Sequence, residues 1–425
     1  MEKIIVNGGK PLRGDVHISG MKNAALPIIF ATILTADKCT IENVPKVSDI
    51  TMSFDILRSM GANINYLDET TVEIDTTEIE GGNTPFDLVS RMRASTYLLG
   101  AELARFKKTK VGYPGGCNFG TRPIDMHIKG FEALGATVSQ DENYVYADAP
   151  NGLCGNSIYF DIASVGATVN IMLAATLADG LTVIENAARE PHIVDLANFL
   201  NTCGANIKGA GTGIIKIVGV KKLHGCVYDI IPDMIEAGTY MTAVAATGGE
   251  VNILNVIPKH LEIISTKLIE MGVEIKTYDD YLTVISTGKL KPTNIQTLPY
   301  PGFPTDMHPQ FSTLLAIADG DSTVYETIWK NRFKYVQELE KMGANITVNE
   351  PFAAFHGVEK LHGASVSACD LRAGAAIVIA GLVAEGTTEV TNIYTIERGY
   401  LDIVGKLRDL GADISKVIID ENAFI

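Results

Sequence analysis

One pattern recurs six times along this 425-residue chain and fixes most of what it can become. An amphipathic helix ends in Gly, and a strand follows. The copies are Leu57–Ile64, Phe131–Val138, Phe199–Ile207, Leu268–Ile275, Leu339–Ile346 and Leu407–Ile414. Their glycines, Gly61, Gly135, Gly204, Gly272, Gly343 and Gly411, lie about 70 residues apart. Each occupies the place of a left-handed C-terminal cap, where a residue without Cβ ends a helix without strain. Such a period marks a chain built from copies of one supersecondary unit.

Between these copies lie six nearly all-apolar helices. They are expected over Asn23–Leu34, Arg93–Ala104, Ser164–Leu177, Glu236–Ala246, Thr305–Ala318 and Leu371–Ala384, each followed by a strand such as Cys39–Val44 or Thr182–Ala187. A helix apolar on every side must be buried, whereas the Gly-ending helices carry charge on one face and should be half exposed. The fold class is α/β. Six units divide into two domains of three, with buried helices inside and sheets outside. The expected limits are 21–230 for the first domain and 1–20 with 231–425 for the second. The chain would cross twice, near Ser19–Met21 and near Tyr228–Pro232, and two adjacent crossings make a hinge.

Composition excludes several function classes. A formal charge of −15 argues against a nucleic-acid binder, yet a local basic cleft can still take an anionic small molecule. The longest apolar run, Ala373–Ala384, is too short to span a bilayer, and the start of the chain does not read as a signal peptide. The six Cys are scattered, without CxxC or Cys/His ligand spacing. Neither a metal site nor a disulfide framework is expected, and a reducing cytosol fits. No GxxxxGK[ST] or strand-borne GxGxxG occurs, so side chains and helix ends would have to hold any nucleotide.

Two features point to chemistry. Tyr113–Pro123 is a glycine-rich loop with a thiol, Cys117, five positions before Arg122. It is either a small apolar Cys on a turn or a reachable thiol whose thiolate a guanidinium favours. The starts of the buried helices carry Lys22, Arg93 and Arg372. A cation beside the positive end of a helix dipole is unfavourable unless an anion sits between it and the free N–H groups. Ordinary capping accounts for Asn23, Ser164 and Thr305. Asp306, placed in the first turn of its helix, either complements the dipole or accepts a proton from a hydroxyl. Arg398 and Arg332 occupy equivalent positions after strands, and His127 is either an ordinary half-buried His or a phosphate contact.

The segments Ile18–Pro27, Arg91–Ser95, Pro114–Asp125, Ser164–Thr168, Glu185–Pro191, Phe303–Asp306, Glu326–Phe333, Asp370–Arg372 and Glu397–Tyr400 together resemble the UDP-N-acetylglucosamine 1-carboxyvinyltransferases of the EPSP synthase superfamily. The resemblance runs the length of the chain in order. It implies the two-domain inside-out α/β barrel, with the active site in the cleft between the domains. It implies transfer of the enolpyruvyl group of phosphoenolpyruvate to the 3′-hydroxyl of UDP-N-acetylglucosamine with release of phosphate, the first committed step of peptidoglycan synthesis. No cofactor and no metal is implied, and a cytoplasmic monomer is expected.

By position, the resemblance makes Cys117 the proton donor to the methylene carbon, on a lid formed by its loop. Lys22, Asn23, Arg122, Arg372 and Arg398 would hold phosphoenolpyruvate, and Asp306 would be the base at the sugar hydroxyl. The sugar nucleotide would be met by Asn23, Arg93, Arg122, Pro123, Ile124, Asp125, Met126, Ile162, Ala163, Ser164, Val165, Asp306 and Ile328. Ser48, Ile162 and Met234 stand where some members have Lys or Arg, which bears on diphosphate affinity. The nearest rival is the shikimate 3-phosphate enzyme, against which the Cys117 loop and Glu185–Pro191 argue. A non-catalytic paralogue should have lost Lys22, Cys117, Asp306 or Arg398, and all four are present. A thiol-redox enzyme lacks a resolving Cys near position 117.

Overall fold

The computed structural model describes residues 2–82, 84–113 and 124–418. The all-apolar stretches are helical over Lys22–Ala31, Tyr97–Phe106, Val165–Thr176, Met234–Thr247, His308–Ile317 and Leu371–Val383. Short 3-10 turns extend two of them, Thr32–Leu34 after the first and Arg93–Thr96 before the second. Nearly every side chain along them is buried, as their composition requires.

Among the described residues, six sheets accompany these helices, five of four strands and one of three. The four-stranded sheets share one plan: a parallel pair, then two antiparallel neighbours. Ser157–Tyr159 runs parallel to Leu181–Glu185, which pairs antiparallel with Ile214–Val218, and that strand with Asn206–Lys208. Ile214–Val218 alternates exposed and buried side chains, so the sheet turns one face inward. All six repeat glycines have φ between 92° and 103°, the left-handed cap expected of them. Left-handed Asn43, Asn186, Asn255 and Asn392 add a second periodic device. The first three donate side-chain hydrogen bonds to Ile230, Phe160 and Ile18 oxygens, tying the ends of the parallel pairs together.

The chain forms two compact units, with Gly20 to Ile231 in one and the segments before Gly20 and after Ile231 in the other. In the first, the helix Tyr97–Phe106 packs on Lys22–Ala31 and Val165–Thr176. The approach is close: a Cβ on Gly100 would lie 2.4 Å from the Asn170 carbonyl oxygen, so only glycine fits. The strand Val227–Asp229, last in this unit, completes the sheet of the first repeat beside Lys38–Glu42. In the second unit the helices starting at Met234, His308 and Leu371 pack on one another. Here the N-terminal strands complete the sheets. Leu12–His17 lies parallel to Gly249–Leu254, and Glu2–Asn7 lies between Thr387–Thr391 and Asp413–Ile418.

Glu102 is a buried acid in the first unit, accepting from Thr109 at 2.7 Å and Thr84 at 3.2 Å. Burial pushes it up to about 7, against its hydrogen bonds. Its folded value lies above its unfolded one, so the folded state takes up the proton first as pH falls. The cost of its charge is full above about pH 7 and is relieved toward pH 4.5. Glu102→Gln should therefore be more stable than wild type at pH 8, by roughly 1–3 kcal/mol. The advantage should shrink toward pH 5; urea unfolding of both proteins at the two pH values measures it.

Candidate active site

In the unit from Pro232 onward, Asp306 stands two residues ahead of its helix, not within its first turn as the sequence suggested. Pro304–Met307 closes a turn through Met307 N to Pro304 O, and the helix begins only at His308-Pro309. The proline has no N–H and suits that first turn. Freed from the helix, the Asp306 carboxylate lies between two arginines. Its Oδ1 accepts from Arg332 Nη2 at 3.1 Å and its Oδ2 from Arg372 Nε at 3.2 Å. Both arginine side chains are 3% exposed, while the Asp306 side chain is 31% exposed.

The arginines are themselves fixed. Asp370 caps the helix Leu371–Val383, accepting from the N–H groups of Arg372 and Ala373 at 2.8 and 3.0 Å. The sequence reading put an external anion between Arg372 and free helix N–H groups; here a protein carboxylate holds those N–H groups, and Arg372 reaches Asp306 instead. Its guanidinium lies 5.3 Å over the Tyr400 ring, whose hydroxyl is held by Thr239 and Gln310. Arg398, half-buried, follows the turn Ile393–Thr395 two residues before Tyr400.

Glu326 had no site role in the sequence reading, although it falls within the quoted motif Glu326–Phe333, and Arg332 stood there only as the equivalent of Arg398. Buried Glu326 accepts from the N–H groups of Ile328 and Trp329 with one oxygen and from Thr305 Oγ1 with the other. It thereby ties the loop bearing Ile328 to the turn bearing Asp306. Thr305 is thus a donor to Glu326, not a helix cap. His308, beside them, is kept well below its usual value by burial and by Arg332, so it is neutral at physiological pH.

In the other unit, Lys22 opens its helix with N-cap Met21, which has no capping side chain. Its Nζ lies 2.7 Å from Asp49 Oδ2, both groups buried. Asn23 is the second residue of that helix rather than its cap. Arg93 likewise begins its 3-10 turn after an uncapped Met92. Ser164 is a true cap, accepting from Ala167 N at 3.3 Å. Before it, Ile162 is 67% exposed, a large apolar side chain left in the open next to half-buried Ala163, Ser164 and Val165. Buried Ile124, exposed Asp125 and half-buried Met126 lead into the helix Asp125–Ala133.

His127, on that helix, is buried. Asn170 accepts from Gly100 N with its oxygen and donates its amide N–H to His127 Nδ1 at 2.8 Å, which leaves the ring proton on Nε2. Burial and Arg93 push His127 down to about 3, so it is no cationic phosphate ligand. Ser48 begins the helix that carries Asp49, and Met234 is the buried first residue of its own helix. Cys117, Arg122 and Pro123 lie outside the described residues.

The predicted residues thus form local groups: Asp306 with Arg372 in one unit, and in the other Lys22 with Asp49 and Arg93 beside His127. Residues 6–407 match the model of the EPSP synthase (3-phosphoshikimate 1-carboxyvinyltransferase) family. A UDP-N-acetylglucosamine 1-carboxyvinyltransferase of Clostridium botulinum is 56% identical, over 98% of this chain and 100% of that protein. UDP-N-acetylglucosamine 1-carboxyvinyltransferase 2 of Clostridium acetobutylicum is 57% identical, over 98% and 99%. The chain belongs to the UDP-N-acetylglucosamine 1-carboxyvinyltransferases of the EPSP synthase family.

Solved structures agree on the fold of this carboxyvinyltransferase. The enolpyruvyl transferase NikO from Streptomyces tendae is 26% identical and superposes with a TM-score of 0.88 over 99% of both chains. EPSP synthase from Acinetobacter baumannii, at 18% identity, shares the fold with a TM-score of 0.76 over 98% of this chain and 100% of its own. No helix among the described residues is long and apolar enough to cross a membrane.

Removing the carboxylate that two buried guanidiniums share should be felt as stability. Asp306→Ala is expected to lower unfolding free energy by about 1–3 kcal/mol, less than a fully buried pair because Asp306 is partly solvated. Asp306→Asn, which can still accept hydrogen bonds, should lose less; urea unfolding of the two variants gives the order.

Proposed function

We propose that this enzyme transfers the enolpyruvyl group of phosphoenolpyruvate to the 3′-hydroxyl of UDP-N-acetylglucosamine, releasing phosphate. Identity above 50% along essentially the whole length of carboxyvinyltransferases named for that sugar nucleotide carries the reading. The product lies on the route to peptidoglycan, whose assembly starts from cytoplasmic sugar nucleotides.

The reaction is an addition followed by an elimination. The sugar oxygen attacks C2 of phosphoenolpyruvate while C3 gains a proton, which gives a tetrahedral ketal. Then C3 loses a proton, the C2–O bond to phosphate breaks, and the vinyl ether forms. Asp306 is the base at the sugar hydroxyl. Arg332 and Arg372 support that role by holding one carboxylate oxygen each, which fixes the orientation of the group. Cys117, on a lid loop, delivers the proton to C3. Lys22, Asn23, Arg122, Arg372 and Arg398 neutralise the phosphate and carboxylate. A cluster of cations is what developing negative charge at a phosphoryl leaving group calls for.

The sugar nucleotide is met by Asn23, Arg93, Arg122–Met126, Ile162–Val165, Asp306 and Ile328. The helix starts at Lys22 and Arg93 follow methionines that make no side-chain cap, and helix starts favour anions, which supports anion binding there. Exposed Ile162 supports an apolar contact with the nucleotide. These residues are drawn from both units, in a chain that acts as a monomer.

Phosphate release from phosphoenolpyruvate should require UDP-N-acetylglucosamine. Equal release with shikimate 3-phosphate, the substrate of the family's other activity, would refute the reading. Cys117→Ser should lose both turnover and alkylation by an epoxide phosphonate mimic of phosphoenolpyruvate, as mass spectrometry of the modified peptide will report. Asp306→Asn should lower kcat by about 10²–10⁴-fold, the range typical of a lost general base.

A further inference from the structure

Three cysteines that the sequence scatters are gathered into one cluster, in the unit from Gly20 to Ile231. Cys39, Cys203 and Cys226 have Sγ atoms all within 4.8 Å of one another, and Cys203 and Cys226 are 3.3 Å apart. Cys39 and Cys203 are fully buried, and Cys226 is partly open. None has a place in the transfer reaction.

The backbone fixes all three. Cys39 is on the strand Lys38–Glu42, held by the parallel strand Val227–Asp229 and by Thr40 N to Cys226 O. Gly225 brings Cys226 in, because a Cβ at 225 would lie 1.8 Å from the Lys38 carbonyl oxygen. Cys203 is the C-cap of the helix Pro191–Thr202, and its carbonyl accepts from His224 N. Strand, helix end and closing segment therefore each supply one sulfur.

We infer that these thiols form a binding site for a soft, thiophilic d¹⁰ cation of the Cu(I) or Cd(II) kind, held by three thiolates. Metal–sulfur bonds of about 2.3 Å around a trigonal ion place the sulfurs about 4 Å apart, within the range already present. Among the described residues no fourth His, Cys or carboxylate joins the group, so it lacks the four ligands of a structural zinc site. Sulfur-only ligation selects soft ions over Mg²⁺, Ca²⁺ or Mn²⁺. Binding releases the three thiol protons to solvent and leaves a metal–tris(thiolate) centre, with no change of oxidation state. A Cys203–Cys226 disulfide would require an oxidant and would leave Cys39 unused; the three-way gathering favours the ion. Such an ion would pin the strand that completes the first repeat's sheet to its neighbours.

Cd(II) titration of the reduced, metal-free, full-length protein tests this, read by sulfur-to-metal charge-transfer absorption and by thermal unfolding. One tight equivalent should bind and raise Tm. Cys226→Ser, at the most exposed position, should weaken uptake at least 100-fold, matching the upper end for losing even a supporting group around a metal. Cys39→Ser should do the same, and Cys117→Ser, Cys154→Ser and Cys369→Ser should leave the tight equivalent intact. Should Cys39→Ser fail to fold, Cys226→Ser decides alone. Uptake by Cys226→Ser equal to wild type overturns the site, as does loss of the tight equivalent in Cys117→Ser. So does a protein that takes up no tight Cd(II) when reduced but joins Cys203 to Cys226 on treatment with peroxide.

Discussion

An α-helix that is apolar on every side has nowhere to go but inside, and six such helices dictate the rest of this molecule. Each unit answers the constraint in the same way, packing three of them and covering them with three sheets that turn one face inward. The helices approach so closely that Gly100 has no room for a Cβ against Asn170. Burial on the order of 1.5–3 kcal/mol per large apolar side chain, over helices such as Leu371–Val383, outweighs the loss of chain entropy. What remains accessible is the helix starts, where half-buried residues such as Asn23, Arg93 and Ser164 lie.

Charge is placed at those starts with its compensation built in. Lys22 lies against Asp49 and is almost wholly buried, and Arg372 and Arg332 share Asp306. A buried guanidinium without a partner costs several kcal/mol, so each cation is folded against a carboxylate. Polar side chains then hold the carboxylates and rings in place: Asp370 caps the Arg372 helix, Glu326 joins the Asp306 turn to the Ile328 loop, and Thr239 with Gln310 holds Tyr400 under Arg372. These side chains are held in place by the fold itself, so the charged groups need little reorganisation.

Much of this was legible before any coordinates. The six cap glycines, the six buried helices and the N-terminal strands' place with the later repeats follow from period and polarity alone, because an apolar helix and a left-handed cap are local consequences of composition. The misses concern side chains whose partners are remote in sequence. Asp306 looked like a first-turn residue because Thr305 resembles a cap, but Thr305 donates to Glu326, 21 positions away. Asn23 looked like a cap and is the second residue of its helix. Of the two readings open for His127, the structure shows the ordinary one, a buried histidine held by Asn170.

The sequence by itself determined the repeat, the class of fold and the family. Those depend on residue type and spacing, which the chain carries whether folded or not. Only the tertiary structure decided which carboxylate each buried cation meets, that Arg332 and Glu326 frame Asp306, and that Cys39, Cys203 and Cys226 come together. Such contacts join positions from 20 to nearly 190 residues apart, and local spacing holds no record of a distance that only the packed sheets and helices set.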